Sequence, residues 1–135
     1  MEKKMNILVL DDEPIVGERL KPALEKDGHH VDIFTDSRQA LACLETGLYD
    51  IVVTDLRMDE VDGLQVLETV IRKSKSTKVI MITGYATLEV ARESLTKGAF
   101  DFIAKPFKLG EIRETIGKAV AVLQADDRKE QAMSK

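Results

Sequence analysis

The stretch Asn6-Ile-Leu-Val-Leu10-Asp11-Asp12-Glu13 joins a short, wholly apolar run to a cluster of carboxylates. An apolar run of this length without alternation predicts a strand that is covered on both faces. Two further runs, at residues 51–53 and 79–82, have the same character. Strands of this kind are typical of parallel sheets with helices on both sides.

Segments of helical period alternate with the strands along the chain. Strands are predicted at residues 6–10, 30–35, 50–54, 78–83 and 100–104, and helices at residues 14–27, 37–46, 63–74, 87–97 and 109–124. The second strand carries Asp32 within an alternating pattern, which predicts an edge of the sheet. The alternation of strands and helices predicts a doubly wound parallel α/β domain.

Three local features carry expectations of their own. Gly17 and Pro22 lie inside the first helix, where a kink or an early break is predicted because proline lacks a backbone donor. His29 follows a glycine at a turn and is predicted to be exposed. Residues 124–135 are rich in charge, so we expect a solvated helix extension or a disordered tail. The predicted domain spans residues 1–123, and residues 124–135 form a charged tail or linker.

Composition excludes several classes of function. The chain has 135 residues, of which 44% are hydrophobic and 33% charged, and this is enough for one domain with its own core. The single cysteine, Cys43, excludes an internal disulfide or a multi-cysteine zinc site and favours a reducing cytoplasm. The net charge of -4 argues against direct binding to nucleic acid. The short apolar runs lead us to expect no membrane span and no signal peptide.

Polar residues at the strand ends indicate a site. In a parallel sheet, residues just past the strands meet at one edge, and these are Asp11, Asp12, Asp55, Thr83 and Lys105. Converging carboxylates repel one another unless a hard cation with oxygen ligands, here Mg²⁺, lies between them. A metal, an ammonium and a hydroxyl around one carboxylate can hold a phosphoryl group. The pattern therefore predicts that Asp55 is a nucleophile that forms an aspartyl phosphate.

Four motifs in this sequence resemble the receiver domain of two-component response regulators. They are Ile-Leu-Val-Leu-Asp11-Asp12-Glu13-Pro14, Asp50-Ile-Val-Val-Thr-Asp55-Leu-Arg-Met58, Ile82-Thr83-Gly84-Tyr85-Ala86, and the run from Gly98 through Lys105 to Phe107. The resemblance covers residues 4–123. It implies a single-domain, five-stranded parallel sheet with the flavodoxin-like order 2-1-3-4-5.

The resemblance also implies a metal site. Asp55 would be the phosphoacceptor, Asp12 a direct ligand of Mg²⁺, and Asp11 a ligand largely through water. The main-chain carbonyl of Arg57 would complete the protein ligands. The receiver itself would catalyse transfer to Asp55 and the later hydrolysis, without turnover of an external substrate.

Switch residues follow from the same resemblance. Thr83 would donate a hydrogen bond to the phosphoryl group, and Lys105 would pair with it. Phe102 would be the aromatic residue whose rotamer reports the switch. Tyr85, with Arg57, would flank the attacking water, and we expect slow hydrolysis. The peptide bond between Lys105 and Pro106 is expected to be cis.

The expected partners are those of a signalling switch. A sensor histidine kinase would supply the phosphoryl group, and the surface of helix 4, strand 5 and helix 5 would control a partner or an effector domain in a longer parent chain. Mixed charges on helices 4 and 5 suit a homodimer through helix 4 and strand 5. The sequence around the fifth strand, Gly98-Ala-Phe-Asp-Phe, is similar to that in the receivers of enhancer-binding transcription regulators.

Two alternatives remain open. One is a phosphorylation-independent interaction module of the same fold, which is favoured by a departure from the family pattern: Asp59 follows Met58 where proline is usual. Asp59 adds negative charge and loosens a turn that proline would restrict. The other is a phosphohydrolase of the haloacid-dehalogenase type, although Asp11 and Asp12 are adjacent here and that family needs Asp-x-Asp.

Overall fold

Strands and helices alternate five times in the computed structural model, which describes residues 4–58, 61–84 and 87–133, and only the backbone of residues 130–133. The strands are β1 (Asn6–Leu10), β2 (His30–Phe34), β3 (Ile51–Asp55), β4 (Lys78–Thr83) and β5 (Asp101–Ala104). The helices are α1 (Pro14–Lys26), α2 (Ser37–Thr46), α3 (Gly63–Lys73), α4 (Leu88–Thr96) and α5 (Leu109–Met133). The strands pair in parallel in the order β2-β1-β3-β4-β5, which confirms the predicted fold with β2 at an edge.

Two apolar layers cover the sheet, because successive side chains of a strand point to opposite faces. Ile7 and Val9 of β1 belong to the layer that contains α1 and α5. Leu8 and Leu10 belong to the layer that contains α2 and α3. Burial on both faces explains why β1, β3 and β4 are continuous apolar runs.

The parallel register brings the strand ends to one edge of the sheet. Leu10 at the end of β1 is level with Thr54, and Asp55 at the end of β3 is level with Ile82. On the other side, Thr83 is level with Ala104. The residues that follow the strands therefore lie around one crevice, as expected for a doubly wound sheet.

The early break predicted in the first helix is wrong, because α1 runs unbroken over Pro14–Lys26, and the kink stays a prediction. Pro22 is exposed, while Leu20 and Leu24 on either side of it are fully buried in the core. Burial of these leucines stabilises the helix across the proline, since tertiary packing supplies most helical stability. Gly17 lies against β2: a Cβ there would be 3.2 Å from the side chain of Ile33.

His29 is buried, so the prediction of an exposed turn residue is also wrong. Its Nδ1 accepts a hydrogen bond from the N–H of Met5 at 3.3 Å. The preceding Gly28 has a φ of 96°, a left-handed conformation that favours glycine. The turn therefore lies against the start of β1, and the buried imidazole joins the two through this hydrogen bond.

The last helix continues beyond the core. Among residues whose side chains are described, Leu123 is the last buried one, yet α5 extends to Met133. The helical alternative predicted for the tail is confirmed for residues 124–133. Within the described residues, no helix combines the length and the apolar character needed to cross a membrane.

Candidate functional site

Acidic side chains at the ends of β1 and β3 lie side by side. Asp11 and Asp12 directly follow β1, and Asp55 is the last residue of β3. One carboxylate oxygen from each of these residues and one from Glu13 all lie within 4.8 Å of one another. We call these four residues the acidic cluster. Asp11 and Asp55 are buried in it, whereas Asp12 and Glu13 are exposed.

Lys105, in the loop after β5, reaches into the acidic cluster. Its Nζ lies 2.7 Å from Asp11 Oδ2, 3.1 Å from Glu13 Oε1 and 3.2 Å from Asp55 Oδ2. Burial alone would lower the pKa of Lys105, but the carboxylates of Asp11, Glu13 and Asp55 together raise it. The ammonium is therefore charged at neutral pH. The Lys105–Pro106 peptide bond is cis, as predicted.

One oxygen of Asp11 lacks a hydrogen-bond donor. Oδ1 accepts a hydrogen bond from the Glu13 N–H at 2.8 Å, whereas the buried Oδ2 has only the ion pair with Lys105, which lacks hydrogen-bond geometry. Burial raises the pKa of Asp11 to about 6, although Lys105 and the Glu13 N–H oppose the shift. Burial also raises the pKa of Asp55, and Lys105 opposes this. Buried carboxylates that are short of donors are sites where a cation binds favourably.

The donor set of the acidic cluster fits a hard divalent cation. Carboxylate oxygens are the protein ligands that Mg²⁺ prefers. Among the described residues, the Lys105 ammonium pairs with three of the four carboxylates, so the cluster keeps an excess of negative charge. The three carboxylates predicted from the sequence are therefore together, and Glu13 joins them.

The loop after Asp55 is closely packed. The N–H of Arg57 donates to Asp55 Oδ1 at 3.3 Å, and the N–H of Gly63 donates to the carbonyl of Leu56 at 2.7 Å. A Cβ at Gly63 would lie 2.5 Å from the carbonyl oxygen of Asp55, so only glycine fits there. Asp59 lies outside the described residues, and its predicted effect on this loop stays a prediction.

The predicted switch residues lie on the neighbouring strands. Thr83 is fully buried at the end of β4, beside the loop that carries Lys105. Phe102 is half-buried on β5, level with Met81, and packs against the apolar layer that contains α2 and α3. Tyr85 lies outside the described residues. Thr83 therefore lies at the crevice, and Phe102 lies on the adjacent edge strand.

Glu13 is a site residue to which the sequence analysis gave no role. It occupies the N-cap position of α1, where Ser, Thr, Asp and Asn are the preferred residues. Its side chain makes no capping hydrogen bond and pairs with Lys105 instead. A glutamate directly before the predicted start of the first helix, and directly after two aspartates, is the signal that indicates such a role.

Comparison with known proteins connects this geometry to a family. The model of the response regulator receiver domain matches residues 7–117. The chain belongs to this family. Recognition of the receiver domain from its four motifs is therefore confirmed.

Relatives of this receiver domain include larger regulators. It is 37% identical over 108 residues to the transcriptional regulatory protein QseB of Haemophilus influenzae, an alignment that covers 80% of this chain and 49% of that protein. The chain therefore spans about half the length of this curated relative.

Solved receiver domains have the same fold. A CheY-like receiver domain from Methanospirillum hungatei JF-1 superposes with a TM-score of 0.86 at 28% identity, covering 92% of this chain and 99% of that one. The beryllofluoride-activated NtrC4 receiver domain dimer gives a TM-score of 0.82 at 30% identity, covering 87% and 98% of the two chains.

Proposed function

We propose that this receiver domain is a phosphoacceptor switch. It takes a phosphoryl group from a sensor histidine kinase onto Asp55, and the surface formed by α4, β5 and α5 then changes to control a partner or an effector domain. The observation that carries the proposal is the position of Lys105 Nζ, 3.2 Å from Asp55 Oδ2 within the acidic cluster. A carboxylate held beside an ammonium and a cation site has the surroundings that phosphoryl transfer needs.

Asp55 is the nucleophile of the proposed transfer. A carboxylate oxygen of Asp55 bonds to phosphorus as the P–N bond of the phosphohistidine breaks, and the imidazole keeps the electron pair and takes a proton from solvent. Lys105 neutralises a phosphoryl oxygen as this happens. In the second half of the cycle, water attacks phosphorus as the P–O bond to Asp55 breaks, which gives the Asp55 carboxylate and inorganic phosphate and releases a proton to solvent.

The proposed metal ligands come from the acidic cluster and the loop beside it. Receiver domains bind Mg²⁺ at an acidic pocket, and Asp12, Asp11 through water, Asp55 and the carbonyl of Arg57 would hold it here. Bound Mg²⁺ supplies positive charge that offsets the charge on the phosphoryl oxygens. The unsatisfied Oδ2 of Asp11 supports this assignment.

Thr83 and Phe102 connect the site to the output surface. The Thr83 hydroxyl is proposed to donate to a phosphoryl oxygen, which draws the end of β4 towards Asp55. Val90 of α4 and Phe102 of β5 pack against the same apolar layer, so a movement of β4 would change the packing of both residues. Tyr85 and Arg57 are proposed to slow hydrolysis by restricting the attacking water.

The output surface has an apolar character that suits a partner. Leu88 and Leu95 of α4 are 67% and 47% exposed. We propose a homodimer through α4 and β5, in line with the activated NtrC4 receiver, which is described as a dimer. The greater length of QseB is the reason to propose an effector domain in a longer parent chain.

Intact-mass analysis after incubation with acetyl phosphate and Mg²⁺ tests the proposal. We expect one phosphoryl adduct that is absent with a chelator and absent in Asp55→Asn. No adduct on the folded wild-type protein would contradict the proposal and favour the phosphorylation-independent interaction module. Turnover of p-nitrophenyl phosphate in the same samples would favour the phosphohydrolase.

A further inference from the structure

We propose that Glu13 is a positioning residue that competes with the phosphoryl group for the Lys105 ammonium. This competition lowers the rate at which Asp55 is phosphorylated and shortens the lifetime of the aspartyl phosphate. The inference rests on the proposed phosphoacceptor function. Nothing in that function requires Glu13, because Asp11, Asp12 and Asp55 supply its carboxylates.

The local structure directs the Glu13 side chain towards Lys105. Its backbone N–H is bonded to Asp11 Oδ1 at 2.8 Å, which anchors the main chain at the site. Its carboxylate, although the side chain is 62% exposed, lies 3.1 Å from Lys105 Nζ rather than capping α1. An N-cap residue chosen for helix stability alone would be one that caps. The side chain therefore acts on the lysine.

The charge of the site shows what this contact does. The four carboxylates of the acidic cluster and the ammonium of Lys105 carry three net negative charges, and a divalent cation leaves one. In the proposed function Asp55 is the acceptor, and Asp11 and Asp12 would hold the cation, so Glu13 is the carboxylate of the cluster that has no role in the transfer. A phosphoryl donor is an anion, and a surplus negative charge a few ångströms away slows its approach.

The same contact opposes the phosphorylated state. After transfer, Lys105 must leave its present carboxylate partners and pair with a phosphoryl oxygen. Glu13 is exposed and tethered at its backbone, so it stays within reach of the ammonium and draws it away. A weaker pair between Lys105 and the phosphoryl group leaves phosphorus more open to water, which shortens the life of the aspartyl phosphate.

Charge removal at Glu13 tests the inference, with Glu25→Gln as the matched control. Both residues are exposed glutamates, but Glu25 lies at the far end of α1, away from the site. Phosphorylation by acetyl phosphate and Mg²⁺, and hydrolysis after the donor is removed, are followed by intact mass. In Glu13→Gln we expect phosphorylation to be about two- to fivefold faster and the half-life to lengthen by a similar factor, because an exposed charge is partly screened.

Three further readouts separate this role from a structural one. The Tm of Glu13→Gln should stay within about two degrees of wild type, because neither Glu nor Gln caps the helix and an exposed ion pair contributes little to stability. The difference in phosphorylation rate should shrink as salt is raised. Glu13→Asp restores the charge, but aspartate is a preferred N-cap residue with a shorter side chain, so its rate should lie between those of wild type and Glu13→Gln.

The possible results are distinguishable. Equal rates in wild type, Glu13→Gln and Glu25→Gln would overturn the inference and leave the proposed function standing. Slower phosphorylation of Glu13→Gln would overturn it as well, because Glu13 would then assist the reaction. A wild-type protein that takes up no phosphoryl group would overturn the proposed function together with the inference.

Discussion

Lys105 Nζ lies 3.2 Å from Asp55 Oδ2, although the two residues are 50 positions apart in the sequence. The contact spans the sheet, because β4 lies between the strand that ends at Asp55 and the strand that precedes Lys105. The same ammonium is 2.7 Å from Asp11 Oδ2. Lys105 thus places a positive charge among the buried carboxylates. Without it, a bound divalent cation would be the only positive charge there.

Replacement of Lys105 by methionine should separate metal binding from phosphoryl transfer. Mg²⁺ affinity should rise, because the ammonium no longer competes for Asp11 and Asp55, while phosphorylation by acetyl phosphate should fall by about tenfold or more. Calorimetric titration and intact mass measure the two effects. Lys108→Met, in the same loop but outside these ion pairs, is the control. Unchanged affinity together with unchanged rate would contradict this account of the ammonium.

Asp11 should make the metal-free protein less stable. Its buried carboxylate lacks a donor at Oδ2, and burial raises its pKa to about 6, so its charged form is disfavoured in the fold. We expect Asp11→Asn to raise the free energy of unfolding by about 1 to 3 kcal/mol at pH 7.5 without Mg²⁺, measured by urea unfolding. The exposed Asp12→Asn should have a smaller effect. A less stable Asp11→Asn protein would show that the ion pair with Lys105 outweighs the cost of burial.

Two glycines should respond to alanine in opposite ways. A Cβ at Gly63 meets the Asp55 carbonyl oxygen at 2.5 Å and Leu56 Cα at 2.8 Å, whereas a Cβ at Gly117 meets nothing within 4 Å. Gly63→Ala should lower the free energy of unfolding by about 1 to 3 kcal/mol and slow phosphorylation, because the acceptor must shift. Gly117→Ala, at an exposed position of α5, should raise the free energy of unfolding by about 0.5 to 1 kcal/mol. Similar changes in both variants would refute the close approach at Gly63.

Thr83 should be needed for the response and not for the chemistry. Thr83→Ala should still take up a phosphoryl group on Asp55, because the hydroxyl is no ligand of the cation and no nucleophile. Its phosphorylated form should dimerise about tenfold less tightly than wild type, since one hydrogen bond to a charged group is lost. Sedimentation velocity measures this, and Thr83→Ser should retain dimerisation. Equal dimerisation in all three proteins would remove Thr83 from the switch.

The ion pair between Asp27 and Arg113 joins the end of α1 to α5. Arg113 Nε donates a hydrogen bond to Asp27 Oδ2 at 2.8 Å, and Arg113 Nη2 donates one to Asp27 Oδ1. Arg113 holds the pKa of Asp27 below its usual value of 3.8. The pair therefore stabilises the fold above that pH, and its contribution is lost as pH falls through the lowered pKa of Asp27.

Arg113→Gln tests this pair. Thermal unfolding at pH 7 should show a Tm lower by about one to three degrees, because the pair is largely exposed. The difference from wild type should disappear in strong acid, when Asp27 is protonated in both proteins. Lys118→Gln, which removes a charge from the same helix, is the control. A difference that persists in acid would mean that packing of the arginine stem, and not the ion pair, is responsible.

Much of the site follows from the sequence because, in a parallel sheet, the position of a residue relative to the end of its strand determines where it lies in the fold. Each strand of such a sheet ends at the same edge, so Asp11, Asp55, Thr83 and Lys105 were predicted to meet once the strands were recognised. The strands were recognisable because burial on both faces requires continuous apolar runs. Motifs around these residues then identified the receiver family.

Three features were decided by tertiary structure alone. The unbroken course of α1 through Pro22 goes with burial of the leucines on either side of it, and His29 is buried where it accepts a hydrogen bond from Met5. The partner of Glu13 depends on a lysine that arrives from the opposite end of the chain. Strand and helix patterns are local, so they can be recognised in the sequence. These contacts join side chains that are far apart in the sequence, and their distances are set only when the layers pack. The sequence therefore determined that Asp11, Asp55, Thr83 and Lys105 meet at one edge of the sheet. The folded chain determined that Glu13 shares the Lys105 ammonium with Asp11 and Asp55.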